Sequence, residues 1–223
     1  MKKKLIKFLP LLLIIFLITP LILPFLHKGF FVTHDGEWAI IRLSAFHFAL
    51  RDGQLPPRWA GNLFHSFGYP VLNFNYPLPP IIGEILHLLG FSFVNSVKGV
   101  FILSIIFSGI FFYLLLNEIF KKKTIAILGT IFYLYYPFRM VDLYVRGSMG
   151  ESLVFAILPL VYWSLYRRWL GISGLSIALL ILAHNSLALV SLPFVFFFMV
   201  FNLILKRKKQ KSLLHCYMVA LLI

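Results

Sequence analysis

Long apolar runs recur along this chain, separated by short basic clusters and by polar stretches rich in aromatics. The runs cover residues 8–26, 97–119, 124–138, 153–166 and 170–205, and a last one follows Lys211. They are rich in Leu, Ile and Phe and do not alternate with polar residues, which predicts helices rather than strands. In lipid a backbone must satisfy its polar groups within its own segment or in a closed barrel. The pattern therefore predicts an all-α polytopic membrane protein. It reads as a single transmembrane domain over 1–223, the N-terminal part of a longer protein, because the last run ends at Ile223 after only a dozen residues.

The first run, Phe8 to Leu26, is punctuated by Pro10, Pro20 and Pro24, which membrane helices tolerate. A secretory signal is the competing reading. The run is longer than a usual signal core and no A-x-A-like site follows, so an uncleaved first span is expected. Residues 27–96 then form a long loop. Within it, Trp38 to Leu50 predicts an amphipathic surface helix with Ile41, Ala45, Phe48 and Ala49 on one face. Asp35 or Gly36 starts this helix and Asp52-Gly53 ends it. Clusters of Pro, Gly, Asn and aromatic residues up to Pro77 predict an ordered loop. The apolar stretch Pro80 to Phe93 is short for a span.

Charge placement orients the pattern. Most of the 21 lysines and arginines sit in four clusters beside apolar runs: Lys2 to Lys7, Lys121 to Lys123, Arg167-Arg168 and Lys206 to Lys211. Basic clusters mark cytoplasmic ends. The N-terminus is then cytoplasmic, in a multi-pass protein of the plasma membrane. An odd number of crossings must separate the outer loop from residue 121, so 97–119 spans and 80–93 lies on or re-enters the outer side. Residues 124–138 cross outward, Arg139 to Ser152 forms a polar outer loop, and 153–166 returns. Residues 170–205 form a hairpin that turns near His184-Asn185. Only 13% of residues are charged, about half the ~25% of a soluble domain. The net charge of +14 is thus a matter of topology and anionic lipid. It does not point to nucleic acid. The single cysteine, Cys216, admits no internal disulfide.

This topology gathers the unusual polar residues at the outer face. The stretch His34-Asp35-Gly36-Glu37 follows the first span, and Arg58, Arg139, Asp142, Arg146, Glu151, His184 and Asn185 join it there. A carboxylate near a low-dielectric boundary suits a general base for a hydroxyl acceptor. Asp35 and Glu37, one residue apart, can also hold a divalent cation such as Mg or Mn through oxygen. Arginines offer forked donors to a phosphate or pyrophosphate. Together these fit transfer of a sugar from a polyprenyl-phosphate donor, with Asp35 and Glu37 catalytic and His34, Arg58, Arg139, Arg146, His184 and Asn185 binding substrate. Each residue also has a structural use. Glu37 favours the start of the following helix, and Arg139 and Arg146 can anchor headgroups. Asp142 can pair with either arginine, Glu151 can open the next helix, and His184 can be a hydrogen-bonded structural histidine. Glu84 and His87, three apart on one helical face, predict a mutual hydrogen bond, with a metal site as the alternative.

The layout resembles the N-terminal part of the GT-C membrane glycosyltransferases. In that superfamily an acidic pair sits in the first outer loop, just after the first span. The resemblance implies a GT-C-like helix bundle, surface helices in that loop, and one acid as base or metal ligand. More narrowly, several stretches resemble a bacterial and archaeal membrane family labelled 6-pyruvoyl-tetrahydropterin synthase-related. They are His34-Asp35-Gly36, Arg58-Trp59-Ala60-Gly61-Asn62, Gly68-Tyr69-Pro70, Asn75-Tyr76-Pro77-Leu78-Pro79 and Arg146-Gly147-Ser148. No His-x-His of a zinc-dependent synthase accompanies them. Two other readings use the same residues: a transporter or flippase for a lipid-linked saccharide, and a non-catalytic membrane subunit.

Overall fold

The computed structural model describes residues 2–205. The basic cluster Lys206 to Lys211, Cys216 and the last apolar run lie outside the described residues. Every regular element among the described residues is helical. Helix α1 (Lys2–Ile22) continues as a tight turn over Leu23–Leu26, so the expected first span is helical throughout. Then come α2 (Gly36–Arg51), a single turn α3 (Val71–Phe74), and α4 (Leu78–Leu88). The long helices follow: α5 (Phe93–Phe120), α6 (Lys123–Leu134), α7 (Pro137–Val141), α8 (Met149–Arg167), α9 (Leu170–Ala183) and α10 (Asn185–Leu205).

Three of these helices, α5, α8 and α10, are long and apolar enough to cross a membrane. A fourth crossing results if α6 and the segment Pro137–Arg146, bent by 45° at Tyr135-Tyr136, count as one span. Helix α4, at 11 residues, rises only about 16 Å, half of a ~30 Å hydrocarbon core. Helix α9 is also short, with 14 residues. It still forms a hairpin with α10. The backbone breaks at His184, and the Arg168 guanidinium, just before α9, donates to the Asn202 carbonyl near the end of α10 at 3.4 Å.

Helices α5 and α8 form the centre and run parallel. Val97, Phe101 and Ile105 join Leu153, Ile157 and Val161 in one buried cluster, to which α1 adds Ile14, Ile18 and Leu21. Small hydroxyl residues sit inside this packing. Ser104, Ser108, Thr130, Ser164 and Ser176 are buried, and each donates to a carbonyl three or four residues earlier in its own helix. Small residues of this kind let apolar helices approach closely while their hydroxyls bond their own helix. At one end of the parallel pair, Glu118 of α5 accepts from Lys121 at 2.6 Å and from Arg167 of α8 at 2.9 Å. This is the basic end. The N-termini of α5 and α8 share the opposite end, where the polar constellation lies.

Three expectations change. Arg139 to Ser152 is not a loop: α7 runs into a π-helical turn over Asp142–Arg146, then α8 begins at Met149. Of the face expected on α2, Ala45 and Ala49 are buried, together with Ala39, Leu43 and Phe46, whereas Ile41 and Phe48 are exposed. The α2 stripe follows the neighbours it meets, α4 and α5. Glu84 does not bond His87. Its carboxylate takes His47 of α2 at 2.8 Å, and His87 Nδ1 lies 2.8 Å from the Phe91 carbonyl.

Candidate functional site

The first turn of α2 explains why Asp35 is available. Asp35 occupies the position just before the helix, yet its side chain makes no capping bond. The Thr33 hydroxyl accepts the Gly36 N–H instead, at 2.9 Å. A capping bond is what an aspartate at this position normally supplies. With Thr33 in that role, the Asp35 carboxylate is left to face a cavity. No hydrogen bond or ion pair among the described residues engages it. Backbone bonds hold the stretch in place: His34 N–H donates to the Val145 carbonyl at 3.0 Å, and Asp35 N–H to the Arg146 carbonyl at 2.7 Å.

The partner strip is the π-helical turn. Gly147 N–H reaches back five residues to the Asp142 carbonyl at 2.9 Å, and the helix stops there. Gly147 adopts φ +67°, and a Cβ on it would fall 2.5 Å from the Thr33 hydroxyl. Only glycine combines that backbone with that approach. A second close approach occurs at Gly150, where a Cβ would lie 2.4 Å from the Tyr76 ring and 2.7 Å from the Ala183 carbonyl. Gly150 thus brings the segment before α4 and the α9–α10 break against the start of α8.

The resulting cavity is about 240 Å3. Asp35, Arg42, Tyr76, Arg146, Glu151 and His184 are its ionisable lining. Arg146 is committed: its two terminal nitrogens donate to both Glu151 oxygens, at 2.8 and 2.6 Å, and it lies 3.6 Å from Asp142. His184 Nε2 stands 3.9 Å from Glu151, its Nδ1 accepts the Leu187 N–H at 3.3 Å, and its ring stacks on Tyr76 at 4.6 Å. Burial lowers the His184 imidazole below its usual value, against the pull of Glu151. With Nδ1 accepting, the neutral ring carries its proton on Nε2, toward Glu151. Burial also raises the Tyr76 phenol, and Arg42 opposes the rise. Among the described residues Arg42 carries no ion pair. It also lines an adjoining apolar groove of about 590 Å3 with Trp38, Ile41, Phe64 and Tyr69.

The expected site residues therefore separate. Asp35, Arg146 and His184 line the cavity. Glu37, two residues on, is exposed and outside its lining, since positions i and i+2 do not share a helix face. His34 and Asn185 are exposed and lie beside the cavity rather than in its wall; the Asn185 side chain accepts the Ser186 N–H at 2.9 Å. Arg58 is exposed in the following loop. Arg139 departs furthest. It is 0% exposed, donates to the Ser108 hydroxyl at 2.6 Å, and lies over the rings of Tyr133 and Phe155. Its place among helices α5, α6 and α8 is structural. Glu37 lies outside the cavity that Asp35 lines, and the cavity's other acid, Glu151, is held by Arg146, so the lining offers a divalent cation only the Asp35 carboxylate unpaired. Among the described residues no three of His, Cys, Asp and Glu group as metal ligands.

Sequence reasoning missed Arg42, Tyr76 and the lining role of Glu151. The available signal was the stretch Asn75 to Pro79 and the segment Arg146-Gly147-Ser148. Both converge with His34-Asp35-Gly36 on this one cavity. The stretches at Trp59-Ala60 and Gly68-Tyr69 meet each other instead, through paired backbone bonds between Ala60 and Tyr69 at 2.9 and 3.1 Å.

Comparison with known proteins adds one relative. The chain is similar to an uncharacterized protein of Lactococcus lactis subsp. cremoris (strain MG1363), 23% identical over 206 residues, covering 85% of this chain. The chain spans 33% of that relative's length. No family model matches, and no solved structure matches.

Proposed function

We propose that this chain forms the site-bearing part of a GT-C-like membrane glycosyltransferase, which moves a sugar from a polyprenyl-phosphate donor to a hydroxyl at the outer face of the cell membrane. The observation that carries the reading is the Asp35 carboxylate, half-buried and unpaired on a cavity whose other acid is neutralised. A base of this kind accepts the acceptor's proton as its oxygen forms the new bond to the anomeric carbon, and the phosphate leaves with the old bonding pair. Arg42, with no carboxylate partner among the described residues, is the cation that holds that phosphate in this reading. Arg146 keeps Glu151 and the cavity wall in register. The cavity is smaller than the ~300–1,000 Å3 of pockets that enclose drug-sized ligands, so it suits a sugar or phosphate group and not a whole glycolipid. The adjoining apolar groove, sharing Arg42, supplies room for the start of the hydrocarbon chain. The step as written uses no metal.

The test uses the full-length protein in proteoliposomes with a labelled polyprenyl-phosphate sugar and a hydroxyl acceptor. Transfer predicts free polyprenyl phosphate and label on the acceptor. Intact glycolipid that has changed leaflet would instead identify a flippase. No change in either, with a partner protein's activity dependent on this chain, would identify a subunit.

A further inference from the structure

A second feature lies at the same end of the bundle, between the end of the first span, α4 and the start of α5. Lys98, in the second turn of α5, is only 4% exposed. Its ammonium has three protons to donate and one evident recipient, the His27 carbonyl. No carboxylate among the described residues pairs with it. A buried charge without a counter-charge is costly in any low-dielectric setting and stands out in a membrane-type helix. Lys98 lines a groove of about 780 Å3, larger than the Asp35 cavity. The groove's walls are apolar, with Phe25, Leu86, Phe91, Ile102 and Leu103, and none of its lining residues is acidic. Lys28, exposed at the rim, adds a second positive charge. The start of α5 adds the positive end of a 28-residue helix dipole, capped by Ser92.

We propose that this groove binds a phosphate-headed lipid, with the phosphate at Lys98 and Lys28 and the hydrocarbon chain along Leu86, Ile102 and Leu103. The occupant must bring a negative charge, because the groove offers two lysines and no acid. It must bring an apolar tail, because a soluble phosphate would leave the walls wet. Neither requirement involves Asp35, and the proposal stands apart from glycosyl transfer.

Native mass spectrometry of the full protein in detergent tests it, with dioleoyl phosphatidic acid and dioleoyl phosphatidylcholine as probes. The wild type should retain one phosphatidic acid through gas-phase release, at least tenfold more than phosphatidylcholine. Lys98→Met should abolish that preference. Leu103→Trp keeps the charge and fills the apolar wall, so it should release the same lipid; it decides the matter if Lys98→Met does not fold. Equal retention of both lipids by the wild type, or unchanged phosphatidic acid on both variants, would overturn the proposal. Displacement of the lipid by millimolar inorganic phosphate, with Leu103→Trp unaffected, would also overturn it in favour of a soluble-anion site.

Discussion

Each end of the parallel pair α5 and α8 holds a glutamate bonded to an arginine. At the basic end, Glu118 takes Arg167 and Lys121 in the open, with side chains 21%, 41% and 67% exposed. At the other end, Glu151 takes Arg146 in a bidentate pair beside a cavity, its own side chain only 8% exposed. The chemistry is the same and the setting differs. An exposed pair is dispensable, whereas a buried one leaves an uncompensated charge when broken. The difference teaches where to look for function. The exposed pair stands among surplus cations, while the buried pair occupies its own members and leaves Asp35 and Arg42 without a hydrogen bond or salt bridge among the described residues.

The largest effect should come from breaking the buried pair. Glu151→Ala should lower the unfolding free energy by about 3 kcal/mol, the low end for a buried pair because Arg146 is 37% exposed. The fall in thermal midpoint in detergent checks this, and a loss no greater than for Glu118→Gln would dissolve the contrast. Close packing comes next. Gly150→Ala should cost about 1–3 kcal/mol, since its Cβ meets a ring and a backbone carbonyl that cannot both retreat. Gly147→Ala should cost about 1–2 kcal/mol for the left-handed backbone alone. Titration is a smaller effect. His184 is lowered from 6.5 in the folded protein, so its contribution is complete above that value and is lost as the pH falls through the folded pKa. Acidification from neutral should therefore destabilise the wild type more than His184→Gln. Glu118→Gln should be smallest, about 1 kcal/mol or less.

Much of this was legible in the sequence. The apolar runs placed α1, α5, α8 and the α9–α10 break, because a lipid-facing helix has to be apolar along its length. Charge parity brought Asp35, Arg146 and His184 to one end. What could not be read was direction. The segment 139–152 looks like a loop because it is polar, but Arg139 and Asp142 point inward on a helix, and burial of a charge leaves no period in the sequence. Glu37 looks like the partner of Asp35 until the helix begins between them and turns it outward. Arg42 reads in the sequence as the polar side of an amphipathic helix, since most of its cavity is built by distant segments, around Tyr76, Arg146 and His184.

The central claim is that Asp35, not the acid pair, is the reacting carboxylate. Its most direct measurement is the rate of sugar transfer by the full-length protein carrying Asp35→Asn beside one carrying Glu37→Gln, with both variants inserted in the membrane at wild-type levels. Asp35→Asn should lose at least about a hundredfold, the scale of a missing general base, while Glu37→Gln stays near the wild-type rate. Turnover retained by Asp35→Asn, or an equal loss in both, would contradict it.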